Sequence, residues 1–259
     1  MAGPPPRRRK LSAVRIAVVS PHLDDAALSA SAAIGRHDAA VLTVFTALPP
    51  DGVTATWWDR LTGAASSRER QLERVAEDAE AMALLGARAV HLGEPEALYR
   101  DGPADTGRAA RLMTAELAAC DEAWLPAAIG GHADHIAARD AGLAAARATR
   151  HKYVMLYADF PYVIHYGWPS WVTGRPGSAY LDPDFWLDDQ LAAAGLGAGR
   201  LEPAVTRLSA AECARKAAAI GAYRSQAAAL RLTAADIAAD PAKLRYELSW
   251  RLRLDGRSP

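Results

Sequence analysis

Short apolar runs rich in Val and Ile recur along the chain: "VRIAVV" at 14–19, "AVLTVFT" at 40–46, "RAVHLG" at 88–93, "EAWLPA" at 122–127 and "KYVMLYADF" at 152–160. Runs of this kind suit strands buried on both faces, where there is no solvent side to impose alternation. Between them lie helix-like segments at about 26–36, 66–85, 106–120 and 134–149. Strands alternating with helices of this length predict a doubly wound α/β fold with a mostly parallel sheet covered on both faces. In such sheets ligands bind outside the carboxyl ends of the strands, where the winding reverses. No internal repeat interrupts the pattern, and the Ala-rich stretches need no special reason on helices.

The chain has 259 residues, enough for one large α/β domain. The expected division is a flexible basic tail over 1–12, "MAGPPPRRRK" onward, and a single domain over 13–259. The tail does not read as a secretion signal, because the apolar stretch after it is short and holds Arg15. Hydrophobic residues at 51% and charged residues at 23% indicate a folded globular protein. Thirty basic residues balance thirty acidic ones, so no overall field gathers nucleic acid or an anionic membrane. No segment approaches the roughly 18 apolar residues of a membrane span. Cys120 and Cys213 stand far apart, which suggests neither a disulfide framework nor a thiolate metal site. A cytoplasmic location is the resulting expectation.

The first strand runs into "SPHLDDAALSA" at 20–30. Taken alone, the adjacent acids are best read as a helix cap, with Asp24 or Asp25 accepting from free N–H groups at a positive helix end. A second stretch changes that reading. "LPAAIGGHADHIAARDAG", from Leu125, again places a strand end, a Gly pair, histidines and an aspartate before a helix. His22 and Asp25 are three apart, as are His132 and His135, a spacing that projects side chains to one side of a helical turn. Two such clusters after strands of one parallel sheet converge on one rim. Two His and one Asp with an open position suit catalytic zinc. The glycines of a dinucleotide turn are missing from "SPHLDDAAL", and no G-x-S-x-G, H-E-x-x-H or G-K-[ST] motif occurs.

"PHLDD" followed by "HADH" resembles the paired signatures of the PIG-L/LmbE-like family of zinc-dependent N-acetylglucosamine deacetylases. The resemblance runs from about Val14 to about Gln226. It takes in "RVAEDAEAMALLG" from Arg74, "LYADFPY" from Leu156 and "KAAAIGAYRSQ" from Lys216. It implies a Rossmann-like three-layer fold, with His22, Asp25 and His135 as zinc ligands and Asp24 as the general base toward zinc-bound water. It further implies that His132 stabilises the oxyanion or protonates the leaving amine, and that Asp134 holds an imidazole in place. The chemistry is physically sound, since zinc lowers the pKa of bound water to about 7 and polarises a carbonyl. Arg74 matches an arginine directed toward the substrate; a solvated helix charge is the alternative. Asp159, Tyr162 and Trp57 are further candidates for the cleft wall, with a buried, hydrogen-bonded Asp beside a strand end the alternative for Asp159.

Two long aromatic segments, from Leu48 and from Phe160, are expected either to cover a cleft or to form a homo-oligomer interface. The family's usual Glu after the Asp pair is Ala26 here, and its usual Pro is Leu23. The expected function is removal of an acetyl group from an amino sugar or sugar-like small molecule. The alternatives are an amidase of a larger conjugate and a non-catalytic sugar-binding module.

Overall fold

The computed structural model describes residues 14–163, 172, 191–194 and 201–254. The basic tail and most of the second aromatic segment, with His165 and Trp168, lie outside the described residues. All five expected strands are present, as β1 (Arg15–Ser20), β2 (Asp38–Phe45), β3 (Arg88–Glu94), β4 (Glu122–Pro126) and β5 (Tyr153–Tyr157). Two further strands, β6 (Leu201–Arg207) and β7 (Tyr246–Arg253), complete a seven-stranded sheet of order β3-β2-β1-β4-β5-β7-β6. The pairings from β3 through β5 are parallel, while β7 runs antiparallel to both β5 and β6.

The helices are α1 (Asp25–Ser29), α2 (Ser31–Arg36), α3 (Trp57–Leu61), α4 (Ser67–Leu85), α5 (Thr106–Ala118), α6 (Ala133–Ala148), α7 (Ala210–Ala222), α8 (Arg224–Ala227) and α9 (Ala234–Ala239). Alternation within the buried strands sorts them into two layers. Ala17 and Val19 face the cluster holding Met113 and Leu117 of α5 and Ala138 and Ala141 of α6. Ile16 and Val18 face the opposite cluster, with Ile34 of α2, Met82 and Leu85 of α4 and Ala219 of α7. The expected three-layer α/β architecture is therefore the observed one. Among the described residues no helix is long and apolar enough to cross a membrane.

The expected single helix over 26–36 is divided at Ala30, which leaves helical geometry at φ −133° and ψ 24°. The break has a partner: Glu247 of β7 accepts from Ser31 Oγ at 2.6 Å and from the Ala32 amide at 3.0 Å, so a remote carboxylate serves the start of α2. Glu247 also accepts from Lys216 Nζ at 2.8 Å, and that lysine is fully buried. Removing one member of a buried pair strands the other's charge, at a cost of about 3–5 kcal/mol. Lys216→Met is accordingly expected to lower the melting temperature by roughly 10 °C in a chain of this size. Thermal unfolding by circular dichroism measures this; a change within 2 °C or so counts against a stabilising role for the Lys216–Glu247 contact.

Candidate metal centre and active-site cavity

The strand order reverses its direction of winding between β1 and β4, and both histidine clusters sit at the carboxyl ends of those two strands. Close packing sets their separation. A Cβ on Gly142 of α6 would stand 2.5 Å from Leu125 of β4, so a glycine lets α6 lie directly against the strand before it. Gly130, at φ +93°, makes the turn between β4 and α6, and a Cβ there would strike Tyr162 at 2.6 Å. His132 is the N-cap of α6, and His135 follows in its first turn.

The α1 end departs from the capping expectation. Asp24 occupies the N-cap position, but its side chain makes no capping hydrogen bond. The free first-turn amide of Ala26 donates to Ser20 Oγ at 3.0 Å instead, and Ser20 in turn donates to the His22 carbonyl at 2.6 Å. Both aspartates are thereby available to the cavity. Asp25 Oδ2 accepts from the His22 amide at 2.8 Å and lies 3.2 Å from His22 Nδ1 and 3.3 Å from His135 Nε2.

Those two separations bear directly on metal binding. Donors on a tetrahedral ion with bonds of about 2.0–2.1 Å lie roughly 3.3–3.4 Å apart, close to what His22, Asp25 and His135 present. The far nitrogen of each imidazole is also held by a carboxylate, His22 Nε2 by Asp134 at 3.1 Å and His135 Nδ1 by Asp159 at 2.7 Å. Carboxylates behind metal-binding histidines fix the ring and the tautomer. Asp159 is fixed in turn by the Ile129 amide at 2.9 Å. His22, Asp25 and His135 thus form a mixed nitrogen and oxygen donor set of the kind a divalent transition metal takes. A second grouping, His22 with His132 and Asp134, shares one histidine with the first. In it Asp134 Oδ2 is already engaged by His22 and by the Ala97 amide at 2.9 Å.

Burial and neighbouring charges drive the two aspartates apart. Asp24 is pushed up to about 6 by burial and by the charge of Asp25, against the pull of Arg74 and His22. Asp25 meets the same burial, but His135 and His22 outweigh it and hold the carboxyl at about 2. Burial lowers both of these imidazoles, yet His22 is raised by Asp134 and Asp25, and His135 by Asp25 and Asp159. His132 behaves differently, falling to about 4 through burial and the repulsion of His22 and His135. Its Nδ1 accepts from the Asp134 amide at 3.2 Å, which leaves the proton of a neutral ring on Nε2.

These groups line a cavity of about 240 Å³, together with Trp57, Trp58, Arg74, Glu96 and Tyr162. Arg74 is buried rather than solvated, and its Nη1 donates to Glu96 Oε1 at 2.6 Å. Trp58 Nε1 donates to Gln226 Oε1 at 2.8 Å, joining α3 to α8 over the cavity, while Trp57 is 60% exposed at its edge. Asp159 stands behind His135 and does not line the cavity. The imidazole that Asp134 holds is that of His22. Glu96 had no assigned part in the sequence reading, since a lone Glu after a strand carries no spacing signal, while Gln226 closes the family-like stretch "KAAAIGAYRSQ" without having been given a role. Leu23 and Ala26 are both buried, Ala26 within the apolar layer beneath α1.

Fold and cluster together define a class: a doubly wound α/β protein with a metal-type His/Asp/His group at its switch point. Residues 17–146 match the family PIG-L, GlcNAc-PI de-N-acetylase. The chain belongs to that family and is a hydrolase acting on amide bonds. The antimicrobial A40926 pseudoaglycone deacetylase Dbv21 superposes with a TM-score of 0.68 at 26% identity, over 94% of this chain and 99% of that one. A deacetylase of teicoplanin biosynthesis gives a TM-score of 0.70 at 24% identity, over 94% and 100% of the two chains. GalB, the 4-carboxy-2-hydroxymuconate hydratase of Pseudomonas putida, shares the fold with a TM-score of 0.53 at 16% identity, over 95% and 98%. Among curated proteins none matches. A hydratase on the same scaffold shows why the reaction has to be argued from the site.

Proposed function

We propose that this chain is a zinc-dependent N-deacetylase of an amino sugar or sugar-containing metabolite, with His22, Asp25 and His135 holding the metal and Asp24 acting as general base. The observation that carries this reading is the division of the aspartate pair. Asp25 lies against both imidazoles, while Asp24 makes no capping bond and faces the same cavity with a pKa near neutrality. Neighbouring acids whose environments push them apart are the pattern of separated ligand and base roles.

Zinc held there would supply Lewis acidity toward the acyl carbonyl and lower the pKa of water bound to it. The chain's own groups do the rest. Asp24, deprotonated above about pH 6, takes the proton of the attacking water. His132, neutral and carrying its proton on Nε2, donates to the carbonyl oxygen as that oxygen gains charge. As the C–N bond breaks, Asp24 passes the proton taken from water to the departing nitrogen, which leaves as the free amine. Arg74 and Glu96 offer paired donor and acceptor groups to substrate hydroxyls, and Tyr162 and Trp57 offer faces to a ring. The cavity is smaller than the ~300–1,000 Å³ of sites that enclose a whole ligand. It fits the acylated end of a small molecule and leaves the remainder outside.

The test is metal analysis of protein purified without added zinc, followed by chelation. About one zinc per chain is expected, with hydrolysis of N-acetylglucosaminides lost on chelation and restored by zinc. Activity undiminished after complete metal removal refutes the mechanism. Cleavage of larger acyl groups with none of acetyl moves the assignment to an amidase.

A further inference from the structure

Arg100, in the segment between β3 and α5, does not line the cavity, yet its guanidinium is built into the back of the site. Nη2 lies 2.6 Å from Asp134 Oδ1, an ion pair whose two side chains are 10% and 1% exposed. Nη1 donates to the Pro95 carbonyl at 2.8 Å, and the guanidinium carbon stands 5.1 Å from the ring centroid of buried Phe45. Phe45 lies 6.0 Å from the His22 ring, centroid to centroid. Asp134 is thus held from two directions, by Arg100 on Oδ1 and by the Ala97 amide on Oδ2, and the same Oδ2 meets His22 Nε2. A carboxylate buried this deeply keeps its place only when its oxygens are paired, and here Arg100 and the Ala97 amide pair one each.

We propose that Arg100 is a positioning residue of the metal centre: it anchors Asp134, and Asp134 fixes His22 so that Nδ1 faces the metal beside Asp25. The inference rests on the metal-centre reading above. Its chemistry depends on the planar fork, which binds a carboxylate and a carbonyl at once while stacking on an aromatic ring, and lysine reproduces only the charge.

Zinc affinity, measured by chelator competition on the full chain, is the readout. Loss of a group that orients a metal ligand typically weakens binding by about 10–100-fold. Arg100→Gln is expected to show that loss, and Arg100→Lys to recover part of it. Because Arg100 acts through Asp134, Arg100→Gln added to Asp134→Asn is expected to cause no further loss beyond about 2-fold, whereas independent effects would multiply. This double variant contains no stranded buried charge, so the comparison stands even where Arg100→Gln alone does not fold. His22→Ala separates the two levels of argument. Zinc binding indifferent to His22→Ala overturns the metal reading and this inference with it. Binding that depends on His22, but that Arg100→Gln leaves unchanged or that falls multiplicatively in the double variant, overturns the inference alone.

Discussion

Alanine at His22, Asp25 or His135 is expected to abolish zinc binding at micromolar metal and amide hydrolysis with it. Among the described residues His22, Asp25 and His135 converge as one set of three donors, and each replacement removes one of them. Asp159→Asn is the contrasting case. It leaves all three donors and disturbs only the carboxylate behind His135, so a loss of about 10–100-fold in affinity is expected. The pH dependence carries a sign. Metal binds neutral imidazole, and the metal-free protein holds the protons of His22 and His135 more tightly than a free histidine does, because Asp134, Asp25 and Asp159 favour the charged rings. Zinc therefore has to displace protons. Affinity is expected to fall as pH decreases through those raised values, starting at a higher pH than unperturbed histidines would give. Calorimetry in buffers of different ionisation enthalpy counts the protons released. No release at pH 7 contradicts the geometry, as does an Asp25→Ala variant that binds zinc like the parent.

The parallel part of the sheet was legible because its inner strands, β1 and β2 above all, are buried on both faces, and edge strand β3 keeps the same run of apolar residues though only partly buried. Within "VRIAVV", Ile16 and Val18 pack into one helical layer and Ala17 and Val19 into the other. β6 and β7 were not foreseen. β6 ends the sheet, is largely exposed and carries Pro203, so it lacks the apolar run that marks a central strand. The division of the helix at Ala30 was equally hidden. It depends on Glu247, more than two hundred residues away, reaching the amide of Ala32. No local pattern encodes that contact.

Within the site, spacing and strand-end position sufficed to bring His22, Asp25, His132 and His135 together. What spacing could not supply was the second tier of contacts. Local spacing left Arg74 open between a substrate-directed arginine and a solvated helix charge, and the approach of Glu96 after β3 shows it buried at the cavity. Arg100 carried no motif at all. The capping alternative, which the second histidine cluster had already displaced, is also not the observed arrangement: Ser20, two residues before His22, serves the Ala26 amide that an aspartate would otherwise take. Serine and aspartate are near equals as partners for a free helix amide, so composition could not choose between them.

Asp24→Asn tests the general-base role most sharply. Asparagine keeps the size and shape of the side chain but cannot accept a proton, so zinc is expected to stay bound while kcat falls by about 10²–10⁴-fold, or roughly 3–5 kcal/mol of barrier. A helix-cap role predicts something else: a loss of about 1 kcal/mol of stability or less, since asparagine caps as well as aspartate, and no selective effect on kcat. The pH profile separates the readings further. Burial and the charge of Asp25 lift Asp24 to about 6 in the metal-free protein, and a bound cation draws that value downward by favouring the carboxylate. Because the base works only when deprotonated, parent activity should rise with pH through a limb at or below about 6, and that limb should be missing from the residual activity of Asp24→Asn. Zinc stoichiometry, kcat and the pH profile of one variant therefore decide the matter. A kcat within a few-fold of the parent with metal retained, or a limb that survives the substitution, assigns the proton to another group.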